Sequence, residues 1–140
     1  MIREASKNDV DIVYHLIQQL ETYTLDYETF KNKYNAIIDS TNWYIYVFEE
    51  NDEVMGCITL TLKNFLHHNN TTCEIVELIV DEHHRNKHVG KELIEYVENK
   101  MKEMGVEEIE LSTSLWRKEA HRFYARQGFD NNHFTFIKKI

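Results

Sequence analysis

The chain has 140 residues, 42% of them hydrophobic and 29% charged, with a net charge of -8. That length and apolar share suit one compact domain with its own core, and the acidic balance argues against a general nucleic-acid binder. No run reaches the ~20 apolar residues of a membrane span, Met1–Ala5 carries no secretory pattern, and Cys57 and Cys73 lack metal-ligand spacing, so a cytoplasmic protein with two buried thiols and no membrane partner is predicted.

Ile2–Glu4 reads as a short first strand. Ser6, with Asp9 three residues on, forms a variant of the capping box ahead of a helix whose apolar face is Val10, Val13, Leu16, Ile17 and Leu20. A second helix is predicted from about Tyr27 to Asp39, with Phe30, Tyr34, Ile37 and Ile38 apolar. Trp43–Phe48 is aromatic and β-branched, hence strand. Glu49–Asp52 is a turn, and the alternation over Val54–Leu62 reads as the hairpin partner. Thr72–Val80 is the next strand, followed by a helix from about Val89 to Met104 that Gly105 ends. Ile109 and Leu111 mark another strand, a helix around Lys118–Arg126 closes at Gly128, and His133–Phe136 alternates as a last strand. Proline is absent, so the turns fall to Asn, Asp, Gly and His.

The stretch from Val76 to Lys91 carries the most chemistry. An apolar strand runs into a basic turn, and a helix with Val89, Leu93, Val97 and Met101 on one stripe follows at once. Such a helix start presents unpaired N–H groups and the positive end of its dipole, a seat for a phosphate. Arg85, Lys87 and Lys91 concentrate positive charge there within an acidic chain. The plainer reading is an ordinary strand–turn–helix with surface lysines, and spacing alone leaves the two level.

The pattern Arg85-x-x-His88-Val89-Gly90 resembles the pyrophosphate loop of the GNAT acyltransferases, and the run from Arg117 to Phe129 resembles that superfamily's last helix and the turn after it. The resemblance implies an α+β fold (α/β, three-layer) with a mixed central sheet and the order β-α-α-β-β-β-α-β-α-β. It implies acetyl-CoA as cosubstrate, held by Leu78, Ile79, Val80, Arg85, Asn86, Lys87, His88, Val89, Gly90 and Lys91, with the thioester in a gap where strands 72–80 and 108–113 splay apart. His88 stands where the superfamily's first glycine is usual, and its β-carbon would crowd the loop if the backbone there takes a positive φ.

By the same resemblance Tyr124 is the acid that protonates the leaving thiolate, and the backbone N–H near Val80 polarises the thioester carbonyl. Glu74 and Glu77 are the candidate bases. Strict alternation puts Glu74 with Val76, Leu78 and Val80 on one strand face and Glu77 on the other, barring a bulge. Glu74 is preferred, since it falls where several superfamily members carry their base.

A narrower resemblance, to the aminoalkylphosphonate N-acetyltransferases, rests on Leu66-His67-His68, Glu74–Leu78, Glu110–Thr113, Ala120–Tyr124 and His133–Phe136, with Asp26 and Phe30 in the second helix. It implies a small-molecule amine substrate carrying a phosphonate, contacts from Asp26, Ser112 and Arg117, and a divalent transition metal near His67, His68 and His133. A homodimer is compatible with it. Two competitors stay open: an acetyltransferase for another amine (a polyamine, an aminoglycoside or a protein terminus), and a non-catalytic acyl-CoA-binding sensor.

Overall fold

The structure, a computed structural model, describes all 140 residues. Two compact units are present, Met1–Glu110 and Leu111–Ile140. The elements in chain order are β1 (Ile2–Glu4), α1 (Val10–Gln18), α2 (Tyr27–Ile38), β2 (Trp43–Glu50), β3 (Glu53–Lys63), β4 (Thr72–Val80), α3 (Val89–Glu103), β5 (Ile109–Leu111) and α4 (Lys118–Arg126), with 3-10 turns at Lys7–Asp9 and Glu82–His84. The sheet order is β1-β2-β3-β4-β5. The first four strands form an antiparallel meander. The Cys73 N–H then donates to the Glu108 carbonyl and the Glu107 N–H to the Thr71 carbonyl, both at 3.0 Å, which ties β4 to the chain entering β5.

Alternation assigns the two sheet faces. Ile45, Val47, Cys57 and Ile79 bury against Val10, Val13 and Leu16 of α1 and Tyr34 of α2. The opposite face meets α3, whose Val89, Leu93, Ile94, Val97 and Met101 are all buried. Tyr46 of β2 packs edge-on against Tyr96 of α3, with ring centroids 5.0 Å apart. Gly56 in β3 marks the closest approach. A Cβ there would lie 2.9 Å from the Ile79 carbonyl oxygen and 3.1 Å from Val89 Cγ1, so only glycine fits without displacing backbone.

The capping box at Ser6 and Asp9 forms as expected, on the 3-10 turn that leads into α1. Asp9 also receives the Arg3 guanidinium in a fork, at 2.9 Å to each oxygen, and Arg3 reaches both oxygens of Glu49 at 3.1 Å. One arginine thereby joins β1, the first turn and β2.

Two expectations need correction. No strand follows α4: His133–Phe136 lies outside any helix or strand, with Phe134 91% and Phe136 92% exposed. Alternation is a local property, whereas a strand exists only through a ladder partner. The second correction concerns the register of β4 and bears directly on the site.

Candidate active site

On β3, Thr59, Thr61 and Lys63 are the polar members of an alternation whose other members are Ile58, Leu60 and Leu62. Their partners on β4 are Glu77, Glu74 and Thr72. Leu60 pairs with Ile75 and Thr59 with Glu77, so Val76 has no partner and bulges. Residues directly opposite in a ladder share a face. The bulge therefore puts Glu74 and Glu77 on the same face, the one that also carries Cys57 and Ile79 toward α1 and α2. Strict alternation had separated them.

The two carboxylates differ in their surroundings. The Thr59 hydroxyl donates to the Glu77 carboxylate and accepts the Glu77 backbone N–H at 3.0 Å. Burial first, and the neighbouring charge of Glu74 second, push the Glu77 carboxyl above its ordinary value. Glu74 is instead ion-paired to Lys63 Nζ at 2.6 Å, and the same ammonium lies 3.4 Å from Glu110. The Glu74 hydrogen bond raises the Lys63 pKa most. Of the two, Glu77 is the half-buried carboxylate whose proton affinity is raised, and Glu74 is neutralised by a partner. Sequence reading preferred Glu74 and gave no site role to Thr59, Lys63 or Glu110. The signal for the β3 pair was available: three polar residues at every second position of an otherwise apolar strand.

The chain leaves β4 at Asp81, whose carboxylate accepts the His83 N–H at 2.9 Å and caps the short turn. Asn86 and His88 both adopt left-handed backbone, with φ of +68° and +61°. α3 begins at Val89, and His88 supplies no side-chain cap. The first N–H groups of the helix, at Val89, Gly90 and Lys91, thus have no intrahelical acceptor. The positive φ at His88 is the conformation glycine adopts freely, and histidine tolerates it better than bulkier residues do. Lys87 Nζ rests 3.4 Å from His84 Nδ1, and Lys91 pairs with Glu95 at 3.7 Å on an exposed helix face.

Asp26 caps α2, accepting from the Thr29 N–H at 2.9 Å and the Thr29 hydroxyl at 2.7 Å. In the C-terminal unit, Arg117 is the N-cap residue just ahead of α4, and Tyr124 packs edge-on against Phe123 and Phe129 at 5.4 and 5.9 Å. Gly128, at φ +91°, turns the chain so that the Phe129 N–H returns to the Tyr124 carbonyl. Burial pushes the Tyr124 phenol up, and Arg117 pulls it partly back. Ser112 Oγ lies 3.1 Å from Thr135 Oγ1.

The expected metal ligands do not form a donor set. No three His, Cys, Asp or Glu side chains converge as an ion would require. His67 stacks on His68 with centroids 4.5 Å apart, His68 is engaged by Glu107 and lies 3.6 Å from Glu108, and His133 pairs with Asn132 at 2.7 Å. The Glu107 hydrogen bond raises the His68 pKa most, which favours the imidazolium over the neutral ring a metal needs.

Comparison with known proteins supplies the family. The chain is similar to an aminoalkylphosphonate N-acetyltransferase of Salmonella typhimurium, 37% identical over 139 residues, which are 99% of this chain and 90% of that protein. Among solved structures it is similar to a transcriptional regulator from Bacillus halodurans C-125, with a TM-score of 0.90 at 23% identity over 100% of this chain and 99% of that one. It is also similar to glucosamine-6-phosphate N-acetyltransferase from Arabidopsis thaliana, with a TM-score of 0.83 at 24% identity over 99% and 97% of the two chains. At those identities the structural likeness establishes the fold alone. The Acetyltransferase (GNAT) family matches residues 10–129, and with a relative 37% identical along almost the whole length, the chain belongs to the GNAT family and is an N-acetyltransferase that uses acetyl-CoA.

Proposed function

We propose that the chain acetylates the primary amine of a small aminoalkylphosphonate, with Glu77 as base and Tyr124 as acid, and that residues 1–140 act as one cytoplasmic catalytic domain. The substrate class rests on the near full-length similarity to the Salmonella enzyme. The choice of base rests on the bulge that turns a half-buried Glu77 onto the polar strip of the sheet, and on its raised proton affinity.

The ammonium of the substrate gives a proton to the Glu77 carboxylate, because only the free amine has a lone pair. That lone pair attacks the thioester carbonyl carbon. Its oxygen gains negative charge, and the backbone N–H near Val80 stabilises it. The C–S bond then breaks, and the thiolate takes the Tyr124 proton. Burial keeps that phenol protonated until the thiolate forms. The pyrophosphate of acetyl-CoA sits on the N–H groups of residues 86–91, flanked by Arg85 and Lys91. Arg117 is the cation offered to the phosphonate. Asp26 contributes through the start of α2, since Thr29 occupies its carboxylate. The present histidine arrangement does not fit a metal, and no step here depends on one.

A second reading, acetylation of a cationic amine such as a polyamine, is favoured by the carboxylates Glu74 and Glu110 beside Lys63, with Glu77 near Glu74. A free-CoA release assay decides between them, using 2-aminoethylphosphonate, aminomethylphosphonate, spermidine and an aminoglycoside. Turnover of the phosphonates above the others is expected. Turnover of spermidine or the aminoglycoside alone would replace the substrate class, and CoA binding without release on any amine would favour a sensor.

A further inference from the structure

Two consecutive glutamines end α1, and each closes its primary amide on a different loop. Gln18 donates from Nε2 to the Tyr23 carbonyl at 2.7 Å and accepts the Leu25 N–H at 2.7 Å, which folds the loop before α2 onto the helix. Successive helix positions diverge by about 100° around the axis, so Gln19 points elsewhere. It donates from Nε2 to Asp81 Oδ2 at 3.0 Å and accepts the Glu82 N–H at 3.3 Å. Asp81 is the first residue after β4. Its N–H is held by the Met55 carbonyl at 2.8 Å, its carbonyl accepts the His84 N–H at 2.9 Å, and its carboxylate accepts the His83 N–H at 2.9 Å. The turn ahead of the anion seat is therefore fixed from β3 and from α1, and the second hold consists of one side chain with no role in the chemistry.

We propose that Gln19 is a positioning residue for acetyl-CoA: its amide clasps Asp81 and Glu82 and sets the angle at which the loop presents the N–H groups of residues 86–91. The paired clasp of Gln18 ties the loop before α2 to the same helix end, so the proposed cofactor loop and the loop before α2 are held from one point. The proposal rests on the pyrophosphate seat being where the proposed function puts it.

A polarity swap tests the clasp. In Gln19→Glu the donor facing Asp81 becomes a carboxylate facing a carboxylate. In Gln19→Ala both contacts vanish without a charge. Each variant should weaken CoA binding in calorimetry by roughly threefold to tenfold, the scale of one or two exposed hydrogen bonds. The KM for acetyl-CoA should rise in step, with kcat at saturation within about twofold of wild type. Adding Asp81→Asn to Gln19→Glu lets the new amide donate to the new carboxylate while still accepting the His83 N–H, so the double variant should recover wild-type affinity to within about twofold. Unchanged affinity in Gln19→Ala, or a double variant no tighter than Gln19→Glu, would overturn the clasp. Gly90→Asp belongs in the same series. If it binds CoA as wild type does, the seat itself is misplaced; if it loses CoA while Gln19→Ala does not, only the clasp falls.

Discussion

A glutamate in water is a weak acceptor for the proton of an ammonium group, and Glu77 is strengthened by where it lies. Its carboxyl is raised by burial and by Glu74, while the Thr59 hydroxyl donates to it and accepts the Glu77 backbone N–H. Glu77→Gln is expected to lower kcat by about 10²–10⁴-fold, and Glu74→Gln by less than about tenfold, in steady-state assays at saturating acetyl-CoA. Equal losses would return the role to Glu74. The pH profile follows in sign. A base with a raised pKa is lost to protonation at a higher pH than an ordinary glutamate, so the acid limb of kcat/KM should lie above the ordinary value of 4.5. Tyr124→Phe should reduce kcat on a similar scale with CoA affinity retained, since only a proton is removed. A kcat within about twofold of wild type would make Tyr124 a packing residue. The sequence names both glutamates and the tyrosine as candidates. The face on which Glu77 lies was not legible, because it depends on a pairing with Thr59 eighteen residues away.

At the scale of elements, the sequence located α1 to α4 and the five strands, since apolar periodicity and capping residues act within a few positions. It failed where a partner decides. The bulge at Val76 and the lack of pairing at His133–Phe136 are set by neighbouring strands. The β4–α3 loop is the element most open to test. His88 holds φ +61°, so His88→Gly should raise stability by roughly 1 kcal/mol through relief of the left-handed penalty, offset in part by glycine's own entropy. A thermal melt measures it, and a lower midpoint would show that the imidazole makes a contact worth more than the strain. Gly90→Asp, by contrast, should leave the melt near wild type and abolish CoA binding, because a carboxylate enters the anion seat.

Across the whole molecule, stability should fall on acidification, and the sign can be worked from three carboxylates. Asp9 and Glu49 are held below their ordinary values chiefly by hydrogen bonds from Arg3, and Asp81 chiefly by Gln19. A carboxylate with a depressed folded pKa contributes stability that is complete above its unfolded value and is lost as pH falls through the folded one. Denaturant midpoints should therefore decline below about pH 4. Glu77 acts in the opposite sense, contributing most at low pH and losing that contribution as pH rises through its raised value. Asp9→Asn should shrink the acid loss and cost about 2–3 kcal/mol at neutral pH, since the Arg3 fork and the capping box share that one side chain. A neutral-pH cost near zero would mean that Glu49 alone holds Arg3.

Val76 is a surplus in the arithmetic of the sheet. Remove it, and Thr61 still counts across to Glu74, Leu60 to Ile75 and Thr59 to Glu77, with no position left over. The shortened strand should fold and melt no lower than the natural one, its ladder now unbroken. What disappears is the local twist and the unpaired backbone that an extra residue introduces, beside the proposed base Glu77. A chain lacking Val76 is thus expected to be a well-folded acetyltransferase with little turnover, and the comparison of its melt with its kcat would separate the residues that specify the sheet from the one that shapes the proposed site.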